Sequence, residues 1–226
     1  GYPGSAVLDI YDELYKCDKI RHILTCHEQA AAHAADGYAR ATGRTGVVIA
    51  TSGPGATNLV TGIAAAYMDS SPVVAITGNV KTSLLGSDSF QEVDIAGVTM
   101  PVTKYSFIAS GERGVAQDVR EAFSIAQSGR KGPVLVDIPA DIAAQSEEYE
   151  RAPKSEPAPA KEPEEKELER AAQMIAKAKR PLIYVGGGAI SSGASDALKI
   201  FAQKLHIPVA CSMMGLGAYP CSAELF

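Results

Sequence analysis

His27-Glu28-Gln29-Ala30-Ala31-Ala32-His33-Ala34-Ala35-Asp36-Gly37-Tyr38-Ala39-Arg40 and, a few residues on, Gly46-Val47-Val48-Ile49-Ala50-Thr51-Ser52-Gly53-Pro54-Gly55-Ala56-Thr57-Asn58 decide the fold. In the first stretch a glutamate opens a small-residue helix over 28–42, ending near Gly43. Residues 21–26 before it are expected to form a short strand. In the second, residues 46–51 are apolar on both faces, as in a buried parallel strand, and a Gly-Pro-Gly turn then opens a second helix over 55–68. The pattern continues with a buried strand at 72–77, an amphipathic helix at 115–128 carrying Val115, Val119, Ala122 and Ile125, and a strand at 133–138. Strands alternating with helices predict an α/β fold, a doubly wound parallel sheet. Ligands of such sheets bind outside the carboxyl ends of the strands. Both quoted stretches place their chemistry there, a carboxylate beside a nest of backbone amides.

Outward from this core, residues 4–16 carry Val7, Ile10, Tyr11 and Leu14 at helical spacing. A first domain is expected over 1–144. Between 145 and 166 the composition turns to Pro, Glu, Lys and Ala, with Pro153, Pro157, Pro159 and Pro163, which predicts an extended charged linker. From 167 a helix, the strand 181–185, Gly186-Gly187-Gly188, a helix at 197–205 and the strand 207–211 begin a second α/β domain, 167–226. Two strands cannot enclose a full core. With the turn at Gly1-Tyr2-Pro3-Gly4 and the apolar Leu225-Phe226, this suggests a piece of a longer chain.

A net charge of -5 without a basic block argues against nucleic acid and anionic membranes as partners. No apolar run is long enough to cross a bilayer. The four cysteines, 17, 26, 211 and 221, form no Cys-x-x-Cys pair and have no histidine cluster, so a zinc site is not expected and a reduced, cytoplasmic setting is.

Four other motif readings are tested, three at the quoted stretches and one at the later triple glycine. His27-Glu28 is no zinc-protease motif, because Ala31 stands where the second histidine belongs. Thr51–Asn58 is no Walker A loop, since no Gly-Lys-Ser/Thr follows, and it lacks the Gly-x-Ser-x-Gly spacing of a hydrolase elbow. Gly186-Gly187-Gly188 is a poor dinucleotide fingerprint, with Ser191 at the third glycine of Gly-x-Gly-x-x-Gly. What remains is Glu28 as a desolvated carboxylate at a strand end. Such a group can hold a proton on a ring nitrogen.

Glu28 with the Gly53-Pro54-Gly55 turn resembles the pyrimidine-binding domain of thiamine-diphosphate enzymes. Gly86-Ser87-Asp88-Ser89-Phe90-Gln91-Glu92-Val93-Asp94, Gly1-Tyr2-Pro3-Gly4-Ser5 and Ser128-Gly129-Arg130-Lys131-Gly132-Pro133 narrow the resemblance to the acetolactate (acetohydroxyacid) synthases, over the whole of 1–226. The resemblance implies a catalytic role for Glu28 at N1′ of the aminopyrimidine. Tyr2, Pro3, Gly4, Thr51, Pro54, Asn58 and Gln91 would belong to the cofactor site, and Phe90 and Gln91 to the substrate pocket. Arg130, Gly186, Gly187, Gly188, Ser212, Met213 and Met214 would bind a structural FAD in a central domain. Ser5 replaces a family glycine, and Ala140 stands where many members carry lysine.

The family's metal motif, Gly-Asp-Gly…Asn, is absent here, so Mg2+ and the diphosphate would be held by a missing C-terminal domain. The implied activity joins pyruvate, after decarboxylation, to a second 2-keto acid in branched-chain amino acid biosynthesis. The implied partners are 2-keto acids, a second copy of the chain in a dimer or tetramer, and a small regulatory subunit. The isolated chain is expected to be inactive. The alternatives are another thiamine-diphosphate carboligase or acetyltransferase, against which Phe90-Gln91-Glu92 argues, and a non-catalytic assembly module.

Overall fold

The computed structural model describes residues 1–149, 151 and 162–226, and the chain divides into two compact units, 1–159 and 160–226. The Pro-rich part of the expected linker, 152–161, lies outside the described residues.

The first unit opens with a single 3-10 turn and α1 (Leu8–Lys16), followed by α2 (Glu28–Thr42) and β1 (Gly46–Ala50). Next come α3 (Pro54–Thr57), α4 (Val60–Met68), β2 (Val73–Asn79), α5 (Ile95–Thr99) and β3 (Tyr105–Ile108). It closes with α6 (Val115–Gln127), β4 (Val134–Pro139) and α7 (Ala140–Ala143). The four strands form one sheet in the order β1-β2-β4-β3, every pairing parallel. Alternation along the two central strands builds two cores. Val73 and Ala75 of β2 and Leu135 of β4 join the α2 and α4 side, with Ala31, Ala32, Ala35, Leu59 and Ile63. Val74 of β2 and Val134, Val136 and Ile138 of β4 face the other way, onto Ala122 and Ala126 of α6. The sheet is doubly wound, as the apolar strands require: burial on both faces leaves no solvent side.

The alanine content of α2 has a packing reason. A Cβ on Gly62 of α4 would stand 2.5 Å from Ala32 Cβ, and one on Gly46 of β1 would stand 2.1 Å from Ala35 O. Small residues let α2 approach both neighbours, and enlarging Ala32 would overpack the core at about 1–3 kcal/mol. The helix starts at His27, whose Nδ1 accepts from Gln29 N at 3.1 Å, and stops at Gly43, φ 70°, as the glycine predicts.

Three local expectations change. Residues 21–26 form no strand, because the start of the chain lies between them and the sheet. Tyr2 N donates to Ile49 O on β1 (3.1 Å), while Gly1 N donates to Ile23 O (2.9 Å) and Thr25 N to Gly1 O (3.1 Å). The helix expected over 55–68 is broken at Asn58 and Leu59, where Leu59 N donates to Ala56 O in an i to i−3 bond. Strand β3 and helix α5 had no clear period: Tyr-Ser-Phe-Ile is a short, half-exposed edge strand.

The second unit holds α8 (Glu165–Lys177), β5 (Ile183–Val185), α9 (Gly187–Ser191), α10 (Ser195–Leu205) and β6 (Val209–Cys211). A capping box between Glu164 and Glu167 starts α8, just inside the expected linker. β5 and β6 pair in parallel, and Val185, Ala202, Val209, Ala218 and Tyr219 form its buried apolar cluster. The triple glycine is not wholly a loop: Gly186 precedes α9, and Gly187 and Gly188 form its first turn.

Candidate active site at the carboxyl edge of the first sheet

Glu28 is the first residue of α2 and only 8% exposed. Asn58, which ends α3, donates from Nδ2 to Glu28 Oε2 at 3.0 Å. Oε1 has no donor among the described residues. A Cβ on Gly55 would come within 2.7 Å of Thr51 Cγ2 and 3.2 Å of that free oxygen, so the glycine keeps the space before the carboxylate open. Thr51 follows β1, and its Oγ1 accepts from Ala6 N at 3.2 Å. Gly4 presses on the same threonine, where a Cβ would meet Thr51 Cβ at 2.4 Å. Thus Gly4, Glu28, Thr51, Gly55 and Asn58 come together as the motifs imply. Tyr2 and Pro3 are exposed beside them, Tyr2 through its backbone bond to β1. Pro54 opens α3 at its solvent side.

Gln91 reaches this edge from the loop after β2. It holds a left-handed backbone, φ 58°, and its backbone lies against Gly53, where a Cβ would stand 2.8 Å from Gln91 O. Phe90 points away from packing, 85% exposed. Tyr11 of α1 sits near Glu28: burial, and secondarily the charge of Glu28, push its hydroxyl up to about 12, and its OH pairs with His22 Nε2 at 3.1 Å.

One group at this edge was missed in the sequence. Asp137, in the middle of β4, has 0% exposure. Thr77 Oγ1 donates to its Oδ1 (2.7 Å) and Asn79 Nδ2 to its Oδ2 (2.5 Å), both from β2. Burial pushes Asp137 up to about 6, the two hydrogen bonds oppose the rise, and Asp94 and Glu92 add to it. The signal was available: a lone carboxylate inside the run Val134-Leu135-Val136-Asp137-Ile138 must find donors on the neighbouring strand.

Arg130 lies elsewhere. It stands before β4, at the amino edge of the sheet, and its Nε donates to Ser70 Oγ at 2.8 Å. A cleft of about 470 Å³ opens there, lined by Tyr67, Lys104, Ser128 and Arg130 among others. This cleft is not at Glu28. Chemistry and not volume identifies the site: the cleft's lining carries cations and hydroxyls but no carboxylate or imidazole.

In the second unit the two expected flavin loops do meet. Ser212 N donates to Val185 O (2.8 Å), and a Cβ on Gly187 would lie 3.1 Å from Met214 O. Both loops leave the carboxyl ends of paired parallel strands. Ser212 Oγ accepts from Gly215 N at 3.2 Å, and Met213 is exposed. Among the described residues, no group of three His, Cys, Asp or Glu side chains is placed to hold a metal ion, and no helix is long and apolar enough to cross a membrane.

Residues 1–98 match the family described as thiamine pyrophosphate enzyme, N-terminal TPP binding domain, and residues 168–226 match the central domain of the same enzymes. The chain is 52% identical to the acetolactate synthase large subunit of Corynebacterium glutamicum over 228 residues, covering 100% of this chain and 36% of that protein. It is 49% identical to the acetolactate synthase isozyme 3 large subunit of Escherichia coli K12, over 98% of this chain and 40% of the relative. The probable acetolactate synthase large subunit of Methanocaldococcus jannaschii is 50% identical over 97% of this chain and 38% of its own length. The chain spans well under half the length of these curated relatives.

Proposed function

Since the chain belongs to the thiamine pyrophosphate enzyme family, with that family's N-terminal and central domains, we propose that its protein is the large, catalytic subunit of an acetolactate synthase. The reaction decarboxylates pyruvate and joins its two-carbon remainder to a second 2-keto acid, giving a 2-acetohydroxy acid. One observation carries the reading: a buried glutamate at the carboxyl edge of the sheet, with one oxygen fixed by Asn58 and the other free behind a glycine.

Thiamine diphosphate, when bound, supplies the carbon nucleophile and the electron sink. The chain's part is to place one proton. Glu28 Oε1 would hold it on N1′ of the aminopyrimidine, and Asn58 keeps the carboxylate from turning away. Thr51, Pro54 and Gln91 would line the ring, with Tyr2, Pro3 and Gly4 at its border. Phe90 would face the second keto acid. Gly55, lacking a Cβ, would leave room for the ring before Glu28. Mg2+ and the diphosphate are assigned to the further length that the relatives possess. FAD is assigned to the Gly186-Gly187-Gly188 and Ser212-Met213-Met214 loops, whose approach at one strand edge supports a ligand there; the assignment of Arg130 to flavin rests on the motif resemblance alone. Its role would be structural, because the proposed reaction has no net redox step. A second copy and a small regulatory subunit are proposed partners, in the cytoplasm.

The test is acetolactate formation from pyruvate by the full-length protein, with thiamine diphosphate and Mg2+ supplied. A protein that binds the cofactor but forms only acetaldehyde, or only uses a different acceptor, would replace this reading by another enzyme of the same family.

A further inference from the structure

The loop over 80–94, which carries Phe90 and Gln91, is pinned at both ends. At its base Val80 N donates to Asn79 Oδ1 (2.8 Å), and Thr82 gives both its N (2.9 Å) and its Oγ1 (2.6 Å) to Asp141. At its far end Gln91 rests on Gly53 in a left-handed conformation. Asp141 is half-buried but its bonds from Thr82 lie at the surface, so they exchange with water. Asn79 is buried and exchanges with nothing. Its orientation matters, because only Oδ1 can accept from Val80 N. Asp137 fixes that orientation: a carboxylate only accepts, so it selects the Nδ2 side of the amide and turns Oδ1 toward the loop. Thr77 supplies the second donor, so Asp137 is not free to turn either.

We infer that Asp137 is a positioning residue that, through Asn79, sets the base of the 80–94 loop and so the seat of Gln91 over the Gly53-Pro54 turn. No part of the reaction touches it. Its consequence for the cofactor rests on the function proposed above; its effect on the loop does not.

The pair permits a rescue that few pairs do. Asp137→Asn either sets an N–H against Asn79 Nδ2 or turns it to Thr77 Oγ1, which must then accept and loses the acceptor that its own buried hydroxyl proton has in Asp137. Asn79→Asp sets two carboxylates against each other. Together, N79D and D137N restore every partner: Thr77 donates to the new amide oxygen, the new amide donates to the carboxylate at 79, and that carboxylate still accepts from Val80 N.

The first measurement is amide hydrogen exchange on the full-length protein without cofactor. Residues 80–92 should exchange at least tenfold faster in D137N and return to within twofold of the parent in the double exchange, while α6 stays protected throughout. Unchanged exchange at 80–92, or equal acceleration in α6, overturns the inference. Should D137N fail to fold, Asn79→Ala, which keeps the Thr77 bond, makes the same comparison.

The second measurement is thiamine diphosphate affinity in the presence of Mg2+. D137N should weaken it about tenfold, but less than twofold when Gln91 is already alanine. An equal loss in both backgrounds would mean that Asp137 does not act through Gln91. A parent that binds no thiamine diphosphate would sink the proposed function and leave the exchange result to decide the role of Asp137.

Discussion

The two edges of the first sheet hold opposite charges for the same reason. At the carboxyl edge the strands feed helix N-termini, where unpaired backbone amides and the helix dipole favour anions. Glu28 opens α2 there, and Asp94 caps α5, accepting from Gly97 N at 2.9 Å. At the amino edge the helices end, and their bare carbonyls favour cations. Lys104 reaches across to the end of α6, donating to Ile125 O (2.5 Å), Ser128 Oγ (3.0 Å) and Ser128 O. The edges differ in burial. The carboxylates of Glu28 and Asp137 are enclosed and each is tied to a named donor, whereas Arg130 and Lys104 line an open cleft. Enclosed charge interacts more strongly than exposed charge, so chemistry is expected at the carboxyl edge and ligand anchoring at the other.

The largest effect should come from Glu28, the enclosed carboxylate to which the proton transfer is assigned. In the full-length protein, Glu28→Gln should slow proton exchange at C2 of bound thiamine diphosphate by about a hundredfold or more, the usual size of a general acid–base contribution. Exchange at the parental rate would strip the carboxyl edge of its assigned role. Gly55→Ala comes next. Glycine inside a helix normally costs about 0.5–1 kcal/mol against alanine, so the bare expectation is a gain. The contacts reverse it: the added Cβ meets Thr51 Cγ2 at 2.7 Å, and overpacking of this kind costs about 1–3 kcal/mol. Thermal unfolding should show a lower Tm. A raised Tm would show that the space before Glu28 can close without strain.

Asp137 distinguishes the edges by pH. Its value in the folded protein is about 6, above the usual 3.8. A carboxyl group whose value rises on folding binds more protons folded than unfolded between these limits. Its contribution to stability therefore improves as pH falls through about 6 and is fully lost again above it. The full shift corresponds to at most about 3 kcal/mol. Asp141, half-buried and drawn down chiefly by its bond from Thr82, works in the other direction, losing its contribution on acidification. Urea unfolding from pH 4.5 to 7 should isolate the Asp137 part as the difference between the parent and D137N. Parallel curves would show that Asp137 titrates normally.

The parallel sheet was legible because it rests on local signals, apolar runs and glycine turns, whereas the meeting of Glu28 with Asn58, thirty residues apart, was implied by the family resemblance. The missed parts depend on pairing between distant segments. Asp137 meets Thr77 only through the register of β4 on β2, and no spacing within one segment reveals that. The strand expected at 21–26 failed for a similar reason, since its apolar Ile23 and Leu24 are exposed and its backbone bonds went to Gly1. The motif glycines 186–188 suggested a loop, yet two of them are helical, because glycine permits a turn without dictating its kind.

The smallest effect on stability, and the sharpest test of the amino edge, belongs to Arg130. Its one protein bond, from Nε to Ser70 Oγ, is exposed, and a bond of that kind contributes about 1 kcal/mol or less. Arg130→Ala should therefore leave unfolding nearly unchanged. The guanidinium's other donors have no partner among the described residues, so a ligand that uses them would lose most from the substitution. If the cleft anchors flavin, the purified full-length protein should carry yellow, releasable FAD, and Arg130→Ala should lower its occupancy several-fold at equal Tm. A fall in Tm with unchanged occupancy would make Arg130 a brace for the Ser70 turn. A colourless parent with full activity would leave the amino edge as charged surface and confine the function of this unit to the carboxyl edge.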